Sequence, residues 1–268
     1  MQVPKKRDGM PDLETTFFDV KGSLIFSILN AADRIYPFPH FYCSDVFPKF
    51  FYDKILKNLP DQDCFINNVD KGAVHVVNKE YLTTCNSRHH PCNSRSVIHL
   101  NSDEIFRIEK SKQPFWIEFK DVLKSSDFMV AFFRKFLKHL KACYGVELDS
   151  AQIYPKIDLI WDSEDYALGP HTDSPEKIAV LIIYLPNSDQ NSHLGTSIYV
   201  PNEPNFVCNG GPHYDRNNFT RVFTAPFLPN SAFGFFKTNN SFHGVEPVKG
   251  VNELRNLIQI SFKHNLSL

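Results

Sequence analysis

Residues 168–186 read LGPHTDSPEKIAVLIIYLP, in which a His-x-Asp triplet precedes a long apolar run. The run Ala179–Leu185 is rich in β-branched and large apolar residues and ends at a proline, which predicts a buried β-strand. Short strands with turn-rich connections indicate a closed or double-sheet antiparallel barrel rather than alternating βαβ units. Five further β-rich runs are separated by Pro, Gly and Asn clusters: Ala151–Trp161, Thr196–Val200, Val222–Pro226, Ala232–Lys237 and Leu257–Lys263.

The first half of the chain carries helical patterns instead. Apolar residues recur at helical spacing in Val46–Leu59, in Pro114 to about Leu123 and in Ser126–Tyr144. We expect these N-terminal helices to pack outside one sheet of a mainly β fold. The segment Asp61–Asp103 has few periodic positions, so we expect a loop system with one or two short strands there.

Length and composition favour one folded unit. The chain has 268 residues, of which 42% are hydrophobic and 22% charged, so it can bury a substantial core. We expect a single domain over residues 1–268, in which residues 1–12 are flexible, residues 13–148 form helical support and loops, and residues 149–268 form the barrel core.

The charge of the chain and the composition of its segments indicate which kinds of partner and which cellular compartment to expect. With 29 Lys and Arg against 30 Asp and Glu, no basic field indicates nucleic-acid binding. Met1–Asp12 is polar and lacks the apolar core of a secretory signal, and no apolar run reaches the length of a membrane-spanning helix. We therefore expect a cytoplasmic protein with no membrane partner and with reduced cysteines, and the oligomeric state stays open.

Two imidazoles and one carboxylate lie where strands are predicted. In an extended strand, side chains two residues apart point to the same face, so His171 and Asp173 can reach one metal ion. His243 follows the later run Ala232–Lys237 and supplies the second imidazole. Two His and one carboxylate form the facial triad of non-haem Fe(II) sites, which leaves metal positions open for oxygen and a co-substrate.

Arg255 opens the last predicted strand and suits the needs of such a co-substrate. A keto acid bound through its carboxylate and keto oxygens would fill two metal positions and leave one for O2. The far carboxylate of a dicarboxylic keto acid needs a fixed cation, and the guanidinium fork of Arg binds a carboxylate bidentately.

These residues resemble the 2-oxoglutarate- and Fe(II)-dependent dioxygenase superfamily. The resemblance is carried by residues 168–186, by LGTSIYVP at 194–201 and by SFHGVEPVKGVNELRNLIQISF at 241–262. The segment PFPHFYCSDVFPKFFYDKIL at 37–56 is similar to the opening segment of prolyl-hydroxylase-like members.

The resemblance implies a fold, a site and a reaction. The fold would be a double-stranded β-helix, a jelly-roll or cupin-like barrel. His171, Asp173 and His243 would bind Fe(II), and Arg255 would bind the C5 carboxylate of 2-oxoglutarate. The enzyme would be a hydroxylase that uses O2 and forms succinate and CO2 while it oxidises a C–H bond.

Two positions bear on this assignment. Many family members carry Ser or Thr two residues after the arginine, whereas this chain has Leu257, so Tyr184 and Thr196 become the candidates for a second 2-oxoglutarate anchor. Asp173 retains the carboxylate that halogenating relatives replace with a small residue, which favours hydroxylation. The balanced charge favours a small-molecule substrate, or a peptide or sugar-containing one, over nucleic acid.

Other interpretations stay open at the level of sequence. A non-catalytic jelly-roll module could bind a ligand without turnover, and a cupin-like metal hydrolase or isomerase could use the same three ligands without Arg255. The Cys85–Cys92 segment, which also contains His89 and His90, matches no standard zinc finger closely, and we interpret it as a surface loop. We also interpret His213 as an exposed loop histidine, although it could line the entrance of a pocket.

Trp161, Asp162 and Tyr166 come shortly before the His-x-Asp triplet. We regard them as candidates for the wall of the pocket, and core packing explains Trp161 equally well.

Overall fold

The computed structural model describes residues 17–67, 94–144, 153–164, 166–249 and 254–264. Within these ranges the chain forms five α-helices and eleven β-strands. The helices are α1 Phe17–Asn30, α2 Lys49–Lys57, α3 Gln113–Lys124, α4 Ser126–Arg134 and α5 Leu137–Tyr144. The strands are β1 His40–Ser44, β2 Ile66–Asn67, β3 Arg95–His99, β4 Ile153–Asp162, β5 Leu168–His171, β6 Lys177–Tyr184, β7 Thr196–Pro201, β8 Phe219–Thr224, β9 Ser231–Phe236, β10 His243–Val245 and β11 Arg255–His264.

The strands form two antiparallel sheets. The larger sheet has seven strands in the order β1-β9-β6-β11-β4-β3-β2, and the smaller has four in the order β5-β10-β7-β8. From β4 to β11 the chain passes back and forth between the sheets, so that strands distant in sequence become neighbours. Eight strands wound in this way form a double-stranded β-helix, or jelly roll, which confirms the predicted fold class.

The larger sheet separates two hydrophobic cores. On its outer face, Ile258 and Phe262 of β11 pack in one cluster with helical residues such as Phe132. On its inner face, Leu257 packs in a second cluster with Tyr184. Because side chains alternate along a strand, β11 serves both cores, and the helices cover one face of the sheet as predicted.

Aromatic side chains fill the core between the helices and the sheet. The ring of Phe132 stacks on Phe262 with centroids 4.5 Å apart. Lys135 and Phe136 then interrupt the expected helix Ser126–Tyr144, because their N–H groups bond to carbonyls three residues back, at 3.2 and 3.0 Å. The turn brings the Phe136 ring against Phe41 with centroids 5.8 Å apart, so tertiary packing divides the predicted helix into α4 and α5.

Two other helices differ from the expectation. The predicted helix Val46–Leu59 starts later, at Lys49, because the N–H groups of Val46 and Phe47 donate to Asn230 at 3.1 and 2.9 Å. Helix α1 was not predicted, although three of its fully buried residues, Val20, Leu24 and Ile28, recur every four positions.

The segment Asp61–Asp103 contains the short strands β2 and β3, in agreement with the prediction. Residues 68–93, which include the Cys85–Cys92 segment, lie outside the described residues. Within the described part of the chain, every helix falls short of the length and apolarity that a bilayer crossing requires.

We predict that Phe132→Ala destabilises the protein strongly. Phe132 is fully buried and stacks on Phe262, so its truncation should lower the free energy of unfolding by about 3–5 kcal/mol through lost burial and a residual cavity. Urea denaturation followed by circular dichroism measures the loss. The control Phe26→Ala removes a ring that is 69% exposed and should change the value by less than about 0.5 kcal/mol. Equal effects of the two substitutions would contradict the described helix–sheet core.

Candidate active site

Two imidazoles face each other across a strand pair. His171 is the last residue of β5 and His243 the first of β10, and the two residues are direct partners in the antiparallel register. Their ring centroids lie 4.3 Å apart. Strand pairing therefore brings together the two histidines that the sequence analysis selected.

Both rings are oriented by the same kind of hydrogen bond. Nδ1 of His171 lies 3.0 Å from the carbonyl oxygen of Gly169, and Nδ1 of His243 lies 2.9 Å from that of Ser241. A carbonyl oxygen only accepts, so each Nδ1 carries the proton and each Nε2 keeps a free lone pair. Burial lowers the pKa of both imidazoles, that of His171 well below its usual value, and keeps them neutral.

Asp173 brings a carboxylate oxygen to the same place. It lies just beyond the end of β5, and its Oδ1 accepts a hydrogen bond from Lys177 Nζ at 2.5 Å. Burial raises the pKa of Asp173, but the nearby Lys177 ammonium outweighs burial and holds the pKa below its usual value. The carboxylate is therefore ionised.

The surroundings of the second oxygen of Asp173 indicate a cation site. Oδ2 is buried and has no hydrogen-bond partner among the described residues, and it lies 3.8 Å from Nε2 of His243. Both of these atoms are acceptors, so their approach is unfavourable without a positive group between them. One candidate ligand atom from each of His171, Asp173 and His243 lies within 4.8 Å of the other two, and all three residues are buried. The donor set fits a divalent first-row metal ion.

A cavity of about 350 Å³ extends from this cluster into the barrel. Its walls include Val180, Ile182 and Phe235 from the larger sheet, and Thr196 from the smaller one. Arg255 lines the same cavity. One cavity thus contains the three candidate metal ligands and the arginine that the sequence predicts to bind a dicarboxylate.

Arg255 already has a carboxylate partner within the protein. It is 1% exposed, and its register partner on β4 is Asp162. Nη1 of Arg255 donates to Asp162 Oδ2 at 2.6 Å, and Nε donates to the Leu194 carbonyl at 2.6 Å. Among the described residues, no hydrogen bond involves Nη2, so one edge of the guanidinium remains for a ligand in the cavity.

Asp162 has a second arginine on its other side. Arg95 of β3 binds both carboxylate oxygens, with Nε to Oδ1 at 2.6 Å and Nη2 to Oδ2 at 2.8 Å. Arg95 also lines the cavity, and its guanidinium lies 4.3 Å from the ring centroid of Tyr166. Nothing in the local sequence indicated Arg95, because its position follows from the pairing of β3 with β4.

Tyr184 and Thr196, the two candidate second anchors, are hydrogen-bonded to each other. The Tyr184 hydroxyl donates to Thr196 Oγ1 at 2.9 Å and accepts from Thr196 N–H at 3.0 Å. Thr196 lines the cavity, and its own hydroxyl proton is free to be donated elsewhere. Thr196 is therefore placed to meet a ligand, and Tyr184 is placed to orient Thr196.

The position of His213 differs from the one predicted from the sequence. Instead of an exposed loop residue, it is half-buried, lines the cavity, and has its ring centroid 4.5 Å from that of His171. Its loop is held against the segment that contains His171, because Tyr214 N–H donates to the Pro170 carbonyl at 2.9 Å and Thr172 Oγ1 donates to the Cys208 carbonyl at 2.8 Å. These are long-range contacts, which the loop composition could not reveal.

Solved structures that resemble this chain do so at low sequence identity. The chain matches no family model and no curated protein. A prolyl hydroxylase from Trichoplax adhaerens, in complex with a hypoxia inducible factor peptide fragment, shares 12% identity over 94% of each chain, with a TM-score of 0.48. A prolyl-4-hydroxylase from Pseudomonas putida shares 8% identity over 91% of this chain and 100% of its own, with a TM-score of 0.43.

The third structure is the epimerase SnoN in complex with Fe3+, alpha ketoglutarate and nogalamycin RO. It shares 11% identity over 91% of this chain and 83% of its own, with a TM-score of 0.43. Similarity at such identities and TM-scores says nothing about the chemistry of the site.

We predict that His171→Ala removes divalent metal binding while His213→Ala keeps it. His171 supplies one of the three converging ligand atoms. Loss of a residue that only supports a metal ligand weakens metal binding roughly 10- to 100-fold, and loss of the ligand itself should weaken it further. Anaerobic calorimetry with Fe(II), or calorimetry with Mn(II), measures the affinity. His213 contacts the His171 ring but is not part of the converging set, which makes His213→Ala a matched control. Equal loss in both variants would contradict a three-residue site.

Proposed function

We propose that this protein is a non-haem Fe(II)- and 2-oxoglutarate-dependent oxygenase that hydroxylates a C–H bond of its substrate. The observation that carries the proposal is the shared cavity, in which the His171, Asp173 and His243 cluster lies at one place and Arg255 at another. A metal-binding module or a simple ligand-binding module has no need of a buried guanidinium in the same cavity.

The donor set supports iron with open positions. Two neutral imidazoles and one carboxylate are the ligands of the facial triad, and the adjoining cavity leaves room on one side of the three for further ligands. Fe(II) bound there with 2-oxoglutarate and O2 would supply the oxidising chemistry, converting 2-oxoglutarate to succinate and CO2 while one oxygen atom enters the substrate. His171, Asp173 and His243 would hold the metal, and Lys177 would keep the Asp173 carboxylate ionised and oriented.

The co-substrate would lie between the metal and the arginine. The free edge of the Arg255 guanidinium would bind the distal carboxylate, and Thr196 would donate its hydroxyl proton to the same group because it already accepts from Tyr184. Ile182 and Leu257 are apolar residues of the same cavity wall. Apolar surface beside a charged hydrogen bond would strengthen that bond by keeping water away from it.

The remaining space would receive the substrate. Because the cavity of about 350 Å³ must also contain the co-substrate, only a small molecule or a single side chain or sugar group can reach the metal. His213 lies beside His171 at the wall of this space and would contact the substrate. Asp173 occupies the carboxylate position of the triad, which supports hydroxylation rather than halogenation.

One observation favours a second candidate function. Arg255 already donates a hydrogen bond to Asp162, so the arginine also has a structural role within the protein. A cupin-like metal hydrolase or isomerase would need only the three metal ligands and would leave Arg255 in that structural role. Turnover that depends on metal without O2 consumption would identify that class. The proposed oxygenase consumes O2 and forms succinate in step with 2-oxoglutarate loss.

We predict that anaerobic addition of Fe(II) and 2-oxoglutarate produces the weak visible charge-transfer band of a keto-acid chelate. Arg255→Gln should weaken 2-oxoglutarate binding roughly 10- to 100-fold, since hydrogen bonds to charged groups contribute about 1.5–3 kcal/mol. Titration of the band measures the affinity, and succinate formation in air measures turnover. Arg221→Gln is the matched control, because Arg221 is half-exposed on the smaller sheet.

The proposal fails if folded, iron-loaded protein shows neither the band nor succinate. Thr196→Val provides a second test in case the arginine variant misfolds, because this substitution replaces the hydroxyl with a methyl group in a side chain of nearly the same shape. It should weaken 2-oxoglutarate binding in the same direction as Arg255→Gln and by a smaller factor.

A further inference from the structure

We infer that Arg95, on a strand outside the eight-stranded barrel, is a positioning residue that keeps Arg255 available for the distal carboxylate of a dicarboxylic co-substrate. The inference rests on the proposed function and adds a residue to it. Arg95 would act through Asp162 and through its own charge, without contact with the reacting atoms.

The first support is geometric. Asp162 on β4 is the register partner of Arg95 on β3 and also of Arg255 on β11. The three side chains therefore form one row across the larger sheet, with the carboxylate between the two guanidinium groups. Asp162 is fully buried and Arg255 is 1% exposed, so the row is fixed by the sheet and shielded from solvent.

The second support is the division of hydrogen bonds. Arg95 takes both oxygens of Asp162, whereas Arg255 donates to one of them through a single nitrogen. Without Arg95, the freed oxygen of Asp162 could take a second nitrogen of Arg255, because a carboxylate and a guanidinium pair best through two parallel bonds. Arg255 would then turn its remaining edge toward Asp162 and away from the cavity.

The third support is the balance of charge. Two guanidinium groups against the carboxylate of Asp162 leave one positive charge in excess beside the cavity, because the next carboxylate along β4, Asp158, is already paired with Lys156 and hydrogen-bonded to His99. An excess charge that is buried is unfavourable unless an opposite charge joins it, so this end of the cavity favours an anion. With Arg95 removed, Asp162 and Arg255 would form a neutral pair and the preference for an anion would disappear.

Arg95 is itself held in place. Its guanidinium lies 4.3 Å from the ring centroid of Tyr166, within the range of a cation–π contact, and both residues line the cavity. β3 pairs with β4 over five consecutive residues, from Arg95 to His99. The residue is therefore part of a rigid sheet and not of a mobile entrance.

The test compares two keto acids in charge-altered variants. 2-Oxoglutarate carries the distal carboxylate, and 2-oxopentanoate has the same chelating end without it. Arg95→Gln should weaken 2-oxoglutarate binding to the Fe(II) protein at least about 10-fold, the lower range for a charged partner, and leave the affinity for 2-oxopentanoate unchanged. The KM for 2-oxoglutarate should rise while kcat at saturating 2-oxoglutarate stays within a few-fold of the original.

A double variant separates charge from structure. Arg95→Gln combined with Asp162→Asn restores one positive charge in excess and removes the competitor for Arg255, so 2-oxoglutarate affinity should return to within a few-fold of the original. Arg95→Lys keeps the charge and should retain more affinity than Arg95→Gln. Thermal unfolding verifies that each variant is folded, and Arg221→Gln again serves as the exposed control.

The outcomes are distinguishable. If the unaltered protein binds 2-oxoglutarate and Arg95→Gln binds it equally well, the inference is wrong and the proposed function stands. The inference is also wrong if Arg95→Gln weakens both keto acids alike, or if the double variant recovers nothing, because either result indicates a purely structural role. If the unaltered iron protein does not bind 2-oxoglutarate, the proposed function itself fails.

Discussion

The pairing of β5 with β10 is the constraint on which the site depends. It sets His171 directly opposite His243. The backbones approach so closely that a Cβ at Gly244 would lie 2.4 Å from the carbonyl oxygen of Leu168, which only glycine avoids. Arg216 Nη2 bonds to a carbonyl of each strand, at 3.0 and 2.6 Å, and holds this short pair together. A shift of one residue in this register would move one imidazole to the opposite face of the smaller sheet.

Two groups that line the cavity lack a full set of partners. In the first, Lys177 pairs with one oxygen of the ionised Asp173, while the other oxygen converges with two neutral imidazoles as acceptors without a donor among the described residues. In the second, Arg95 and Arg255 exceed the single carboxylate of Asp162. Under the proposed function, a metal ion would join the first group and the distal carboxylate of a dianion the second, so one co-substrate would satisfy both.

Local patterns predicted the jelly roll and brought the metal-binding candidates to attention, because alternation along strands and a His-x-Asp triplet are properties of neighbouring residues. The hydrogen-bond partners of Arg255 could not be predicted from such local patterns. Asp162 lies 93 positions earlier and Arg95 is earlier still, and their row exists only once the sheet register is set. His213 was misjudged for the same reason, since loop composition says nothing about which strand the loop packs against. The expected helix over Ser126–Tyr144 is broken by packing around Phe136, where tertiary contacts override helical periodicity.

The extra strands of the larger sheet have two consequences at once. A jelly roll of eight strands leaves the outer edges of β4 and β9 with unpaired backbone groups, and exposed edges promote association with other chains. β3 covers the edge of β4, and β1 covers that of β9. Because β3 continues the same pleated surface, its inward side chains join the row of residues that face the cavity, and Arg95 falls beside Asp162 by register alone. A strand that protects the sheet edge therefore also changes the charge inside the barrel, so an insertion of one residue in β3 would alter the row of Arg95, Asp162 and Arg255 without moving the candidate metal ligands.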